Sequence, residues 1–335
     1  MDIKMIDVAA RAGVSPATVS RVLNNNSLVA SETKDKVMKV IHELGYQPNA
    51  AAKNLRSQKT MTIAVIVPAI NNSYYAEVIK GIENQAYAQK YKVIIGDTAN
   101  SPEKELEFLN LLTNKTVDGL ILVTPLLPDE ELCRLADMDY VIGVVGRHVE
   151  HEKIHCVYTD NVKFSKEVVQ HLVEQGHREI AFLSGYADAI DSYERLEGYL
   201  KGLREHHIPF RPEWIENGNF SERGGYEAVM RLAAKPVHFT AIYAANDEMA
   251  LGVYQACAEL GISIPGQLAV VGVDNNRISR YITPKLSTVS QPKNKMGGAV
   301  VQMLIHHMES GEPAEPRVRI LESELLVRES SRTVE

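Results

Sequence analysis

Long apolar runs are missing from this chain. No stretch reaches the roughly 18 residues that would read as a membrane-spanning helix. Cysteine is scarce: Cys133, Cys156 and Cys257 are three, odd in number and scattered through apolar surroundings. That pattern excludes a disulfide framework and zinc-type spacing, and leaves free thiols in a reducing compartment. The opening residues, Met1-Asp-Ile-Lys-Met-Ile-Asp7, have no apolar segment and no small-residue cleavage site, so secretion is not expected. Motifs of chemistry are lacking too. There is no G-x-x-x-x-G-K-[ST], no strand-linked G-x-G-x-x-G, no H-E-x-x-H and no G-x-S-x-G. His151, His155, His206, His207, His306 and His307 are read as ordinary surface residues, not metal ligands. No catalytic residue, metal or cofactor is supported, and an enzyme is not expected.

What is present is an asymmetry. The chain of 335 residues is long enough for two to three domains, and its net charge of −7 is unevenly spread. Residues 1–59 hold nine Lys/Arg against five Asp/Glu, a net of +4, which leaves −11 for the rest. A basic head on an acidic body points to a polyanionic partner for the head alone. The two meet at Tyr46–Thr60, where Pro48-Asn49 starts a short helical reading from Ala50 to Arg56. Seven residues fall well below the roughly 12–15 at which an isolated helix is even marginal in water. The stretch is either a helix that needs a partner or a plain linker.

In the head, Ile6, Val8, Ala9 and Ala12, then Val14, Val19, Val22 and Leu23, mark the apolar faces of two short helices. Gly13 supplies the left-handed turn between them, and Ser15-Pro16 caps and opens the second. A third amphipathic helix is expected from about Ser31, as cap, to Leu44, with Val37, Val40, Ile41 and Leu44 on one face and Gly45 ending it. Helix, glycine turn, helix and third helix form the helix-turn-helix pattern, whose second helix enters a DNA major groove. Pro16, Ala17, Thr18, Ser20, Arg21 and Asn24 are left facing outward or at its N-terminal end. Arg21 is the one long forked donor among them, suited to a guanine edge or a phosphate.

The run Asp7-Val-Ala-Ala-Arg-Ala-Gly-Val-Ser-Pro-Ala-Thr-Val-Ser-Arg-Val-Leu-Asn24 resembles the DNA-binding segment of the LacI/GalR family of bacterial transcription repressors. So do Glu43-Leu-Gly-Tyr-Gln-Pro-Asn49 and the Ala-rich stretch after it, and the resemblance continues to the C-terminus. It implies a helix-turn-helix domain over residues 1–49 and a hinge helix with linker over 50–59. Lys4, Ser15, Pro16, Ala17, Thr18, Ser20, Arg21 and Asn24 would meet DNA in the head. In the hinge, Leu55 would be an apolar wedge in the minor groove, Ala52 would allow close approach, and Lys53 and Arg56 would lie near phosphates. Lys4 is a departure: members usually carry Thr or Ser there as cap and phosphate contact, and a lysine reaches a phosphate but cannot cap.

The body alternates short β-branched runs with amphipathic helices. Thr62–Pro68, Lys92–Asp97, Gly119–Thr124, Val141–Val145, Ile180–Gly185, Ala241–Ala245 and Leu268–Val273 read as strands, with Thr288–Pro292 and Glu322–Arg328 as later short ones. The pattern restarts near residue 160, with a helix from about Asn161 to Gln175. Two doubly wound parallel α/β halves follow, with a ligand between them at the strands' C-terminal ends. The resemblance implies the same: an effector-binding and dimerisation core over 60–335, similar to a two-lobed periplasmic sugar-binding protein. One lobe would hold about 60–160 plus 292–321, the other about 161–290 plus 322–335.

Residues just after the strands are candidates for a polyhydroxylated ligand: Tyr74, Tyr75, Arg147, Asp160, Arg195, Phe220, Asn246, Asp247 and Asp274. Asp247 has the alternative of capping the helix Glu248–Glu259, and Tyr74 or Tyr75 that of being core. Family members resemble this chain at Arg195 and Asp274 and use both for the effector; Asp160, Phe220 and Asn246 also match pocket positions, and Arg147 falls where the pocket varies. Asp191 and Ala189 are not the basic and hydroxyl residues of the purine-binding branch, so a sugar or sugar derivative is preferred to a purine.

The expected function is a cytoplasmic, nucleoid-associated repressor of carbohydrate-metabolism genes, bound as a homodimer to a near-palindromic operator. No Leu-heptad tail follows Arg328, which argues against a tetramer. The alternatives are a solute-binding protein without DNA and a global carbon-catabolite regulator using a phosphorylated carrier protein. The latter places an Arg where this chain has Gln302.

Overall fold

A computed structural model describes residues 3–23, 28–46 and 59–332. The chain divides into two compact units, Met1–Thr60 and Met61–Glu335.

In the first unit, α1 (Met5–Ala12), α2 (Pro16–Leu23) and α3 (Ser31–Leu44) close over Val8, Ala9, Ala12, Val19, Val22, Val37, Val40 and Tyr46. Gly13 and Gly45 both take left-handed backbone conformations at helix ends (φ 65° and 63°). Ser15 Oγ accepts from the Thr18 N–H at 3.1 Å, the N-cap that opens α2. Two expectations are corrected. Ile6 is 62% exposed, because the buried face of α1 runs through Val8, Ala9 and Ala12 and the helix turns Ile6 away from it. Ser31 is the first helical residue and not the cap, and Ala30 before it offers no side-chain acceptor.

The second unit holds two six-stranded sheets. The first is ordered β11-β5-β4-β3-β1-β2, from β1 (Thr62–Val67), β2 (Lys92–Asp97), β3 (Gly119–Val123), β4 (Ile142–Val145), β5 (Ile154–Tyr158) and β11 (Val318–Ile320). The second is β12-β10-β9-β8-β6-β7, from β6 (Ile180–Ser184), β7 (Ile215–Asn217), β8 (Ala241–Ala244), β9 (Ala269–Val273), β10 (Ser287–Ser290) and β12 (Glu324–Leu326). Every pairing is parallel except β10 with β12. Parallel strands buried on both faces explain the unbroken apolar runs in β1, β3 and β9.

The chain crosses between the sheets three times: after β5, after β10 and after β11. The first two crossings are joined where buried Thr159 Oγ1 donates to Gln291 Oε1 at 2.8 Å. β5, β7 and β11 were not expected as strands. The last two have only three residues each, too few for a periodic signal. The missed β5 also accounts for His155, which was expected at the surface and is fully buried within that strand. Its Nε2 lies 3.2 Å from His307 Nδ1, and burial first, then His307, pushes its pKa down to about 3, which keeps it neutral.

Candidate functional site

A cleft opens where the C-terminal ends of the two sheets face each other, the place where ligands bind in open doubly wound sheets. It has two adjoining chambers that share Tyr75, Thr124, Asp191 and Phe220. The inner one adds Asn72, Tyr74, Arg195, Asn246 and Asp274. The outer one adds Asn100, Pro125, Arg147 and Tyr186 among others.

Each side chain is held by the element that carries it. Asn72 caps α4 (Ser73–Ala88), its Oδ1 accepting from the Tyr74 N–H at 2.8 Å, which turns the two tyrosines toward the cleft. Tyr74 is buried and packs edge-on against Tyr75 at 5.3 Å; the Tyr75 hydroxyl lies 3.2 Å from Thr124 Oγ1. Asn246 caps α11 (Asp247–Leu260) through the Met249 N–H at 2.9 Å and donates to the Phe220 carbonyl at 3.0 Å. Phe220 itself has φ 50° and lies against Gly185, where an added Cβ would meet its ring at 2.0 Å. The glycine is what lets the ring reach the cleft wall.

Arg195 lies on α9, which spans Ile190–Glu205. It is 5% exposed; Nε donates to Asn161 Oδ1 at 3.0 Å and Nη1 to the Ala245 carbonyl at 2.6 Å. Its Nη2 stands 3.5 Å from Asp191, and its Cζ lies 5.6 Å from the Phe220 ring centre. Burial alone would lower its pKa, but the Asp191 and Asp274 charges outweigh that and hold it above the ordinary value. Asp274 follows β9 with φ 108°, a strained conformation for a residue with a side chain. Gln291 Nε2 donates to its Oδ1 at 2.9 Å, and buried Lys293 donates to its carbonyl. Burial pushes its carboxyl up to about 6, against the pull of Arg195 and Lys293.

Of the nine expected ligand residues, Tyr74, Tyr75, Arg195, Phe220, Asn246 and Asp274 line the inner chamber and Arg147 the outer. The structure corrects the other two. Asp160 is exposed and caps α8 (Asn161–Glu174) through the Lys163 N–H at 2.8 Å, outside both chambers. Asp247 is fully buried behind the cleft, accepting from Thr288 Oγ1 at 2.6 Å and the Asn276 N–H at 2.7 Å, and burial raises its pKa well above normal. It does not cap α11 either; Asn246 does. Arg147 is 3% exposed and committed to Asp129 and the carbonyls of Pro125 and Leu127 (3.2 and 2.8 Å), so it shapes the wall more than it offers donors. Asn100, Thr124, Asp191 and Tyr186 line the cleft and were not among the nine; each follows a strand end, the same signal that found the others.

In the first unit, Lys4, Ser15, Pro16, Ala17 and Arg21 are exposed, while Thr18 and Ser20 are half-buried. Lys4 takes the N-cap position of α1: its backbone N–H donates to Asp7 Oδ2 at 2.8 Å, and its ammonium has no acceptor to return the favour. Asn24, Ala52, Lys53, Leu55 and Arg56 lie outside the described residues.

Residues 4–49 match the model of bacterial regulatory proteins of the lacI family, and 169–331 match a periplasmic binding protein-like domain. Catabolite control protein A of Priestia megaterium is 36% identical over 92% of this chain and 93% of its own. The chain belongs to the lacI family. The HTH-type transcriptional repressor PurR of Erwinia tasmaniensis is also 36% identical, over 91% of this chain and 90% of its own. Among solved structures, the Lac repressor dimer bound to operator and an anti-inducer has a TM-score of 0.90 at 26% identity, covering 99% of this chain and 100% of that one. The regulator CelR in complex with cellobiose has 0.75 at 29%, covering 98% and 99%. This family member is a DNA-binding transcription regulator controlled by a small-molecule effector. No helix among the described residues is long and apolar enough to cross a membrane.

The buried Asp274 makes stability depend on pH. Its folded pKa of about 6 exceeds the ordinary 3.8, so the folded state holds the proton more tightly and loses relative stability as pH rises between those values. Asp274→Asn removes that cost. Its stability relative to wild type should grow from under about 1 kcal/mol at pH 4 to about 3 kcal/mol at pH 7, measured by denaturant titration across pH. A difference that stays flat would mean the carboxyl is not displaced.

Proposed function

We propose that the regulator binds a sugar or sugar derivative in this cleft and represses carbohydrate-metabolism genes as a homodimer on a near-palindromic operator in the cytoplasm. The observation that carries the ligand class is the inner chamber. It combines one forked cation, two carboxylates, two amides and flat rings, which is what hydroxyls and sugar C–H faces need. A purine reading is less well served, since Asp191 stands where a base-binding donor would be useful. The carrier-protein reading is not favoured: Gln302, on α12 (Lys293–Ser310), is exposed but carries no charge to meet a phosphoryl group.

Cleft occupancy is read at the hinge. A ligand that bonds Asp274 pulls on Gln291, and Gln291 is bonded to Thr159 on the neighbouring crossing. The resulting lobe movement would permit or forbid the helix that the family forms near Leu55 when two copies meet on DNA. Domain limits near 49 and 59 belong to the same reading.

Second copies have a surface to meet on. β2 is the edge of its sheet and exposes Ile94 (40%) and Ile95 (43%), a pairing hazard unless something covers it. The free chain should sediment as a dimer at micromolar concentration, and Ile95→Asp should shift it toward monomer; a wild-type monomer with and without operator would sink the dimer.

Operator contact is tested by anisotropy with labelled DNA. Arg21→Ala should weaken specific binding by about 1–3 kcal/mol, and Leu55→Ala should also weaken it, while effector affinity stays as in wild type. Unchanged operator affinity in both variants would remove the DNA assignment of those residues.

A further inference from the structure

Outside the cleft, a groove of about 440 Å³ falls within the roughly 300–1,000 Å³ over which small-ligand pockets range. Its walls are α4, the turn after β9, the crossing after β10 and the start of α12. Asp274 is the one residue it shares with the inner chamber of the cleft.

Four cations line this groove: Arg277, Arg280, Lys293 and Lys295. The body that carries them has a net charge of −11, and elsewhere its exposed cations, such as Lys80, Arg223 and Arg231, sit beside acids. Here Arg277, Arg280 and Lys295 are exposed, and none has a carboxylate within ion-pair distance among the described residues. Buried Lys293 bonds neutral acceptors, the Asp274 carbonyl and Asn276 Oδ1. Glu77, the one exposed acid of the lining, is taken up by the Asn294 amide. Arg328 bonds the lining residue Asn275 at 2.7 Å and adds a fifth positive charge. Burial, then the Arg280 charge, holds that guanidinium below its ordinary pKa.

The start of α12 adds to the same field. This helix of 18 residues has no side-chain cap and no acid in its first turn, where Asp or Glu would suit its dipole. Lys293 and Lys295 stand there instead. The N–H groups of Asn294 and Lys295 find no acceptor among the described residues. Like charges gathered at the positive end of a dipole repel one another, and a bound anion offsets that cost. Local conflicts of this kind are what proteins carry at functional sites.

We propose that this groove is a second ligand site, separate from the cleft, which takes a small phosphate ester on Arg277, Arg280, Lys295 and the first N–H groups of α12. Arginine forks and a helix N-terminus both match phosphate oxygens, and the excess of cations suits a dianion better than a single charge. The site does not depend on what the cleft binds. Because Asp274 borders both, an anion in the groove adds negative charge beside a cleft residue, so the two occupancies are coupled.

The test is isothermal titration of the full chain with inorganic phosphate, pyrophosphate and glycerol 3-phosphate. At least one should bind with a Kd below about 1 mM at about 0.15 M salt. The exposed residues allow substitution without loss of the fold: Arg280→Ala combined with Lys295→Ala should weaken that binding at least about tenfold. Lys295→Arg should keep it, and Arg223→Ala, which removes an exposed arginine elsewhere in the body, should leave it unchanged. Binding that survives the double substitution lies in the basic head or the cleft and overturns the proposal. So does binding that Arg223→Ala weakens as much, binding lost at about 0.15 M salt, or no binding of any of the three probes.

Discussion

The carboxylate of Asp274 is a charge buried at the place where the chain passes between its two lobes. It is 4% exposed and held in a strained backbone conformation. Such a group is tolerated because Gln291 donates to it, Arg195 faces it and Lys293 grips its carbonyl. Three separate parts of the sequence therefore have to be in place at once: the end of β9, the crossing after β10, and the start of α9. Through Gln291, this one cleft residue is tied to the crossings between the lobes. On the proposed reading, a ligand hydroxyl donated to Asp274 would relieve a cost that the free protein carries, a differential contact between two states and not merely an affinity.

Asp247 has the same chemistry a few residues away in space and none of the role. Its two oxygens are taken up by Thr288 and the Asn276 backbone, so it braces the loop that presents Asp274. Side-chain type and a position after a strand do not separate the two; the direction each carboxylate faces does, and that is set by which of them stands first in a helix and which last in a strand turn.

The sequence made the fold legible wherever elements were long and periodic. The three helices of the head and the runs of β1, β3, β6, β8 and β9 fall within a residue or so of where their apolar patterns place them. Three-residue strands such as β7 and β11 carry no pattern, because they exist through pairing with neighbours distant in sequence. Missing β5 is what misplaced His155. The rule that polar residues after strand ends line a cleft picked out Arg195, Asn246 and Asp274, which do line it, and passed over Thr124, Asn100 and Tyr186, which line it equally. It also admitted Asp160, whose carboxylate the neighbouring helix had already claimed as a cap. Capping and ligand binding draw on the same residue types at the same positions, so the local sequence cannot divide them. The hinge segment around Leu55 stays a matter of family resemblance.

If the Thr159–Gln291–Asp274 chain carries the signal, cutting it should separate binding from response. The decisive measurement is operator affinity of wild type and Gln291→Ala, each with and without saturating effector, alongside effector affinity of both. The account predicts a change of about tenfold or more in wild-type operator affinity, and at most about twofold in the variant, with effector affinity within about threefold of wild type. A Gln291→Ala protein that binds effector and still shows the full operator response would contradict it.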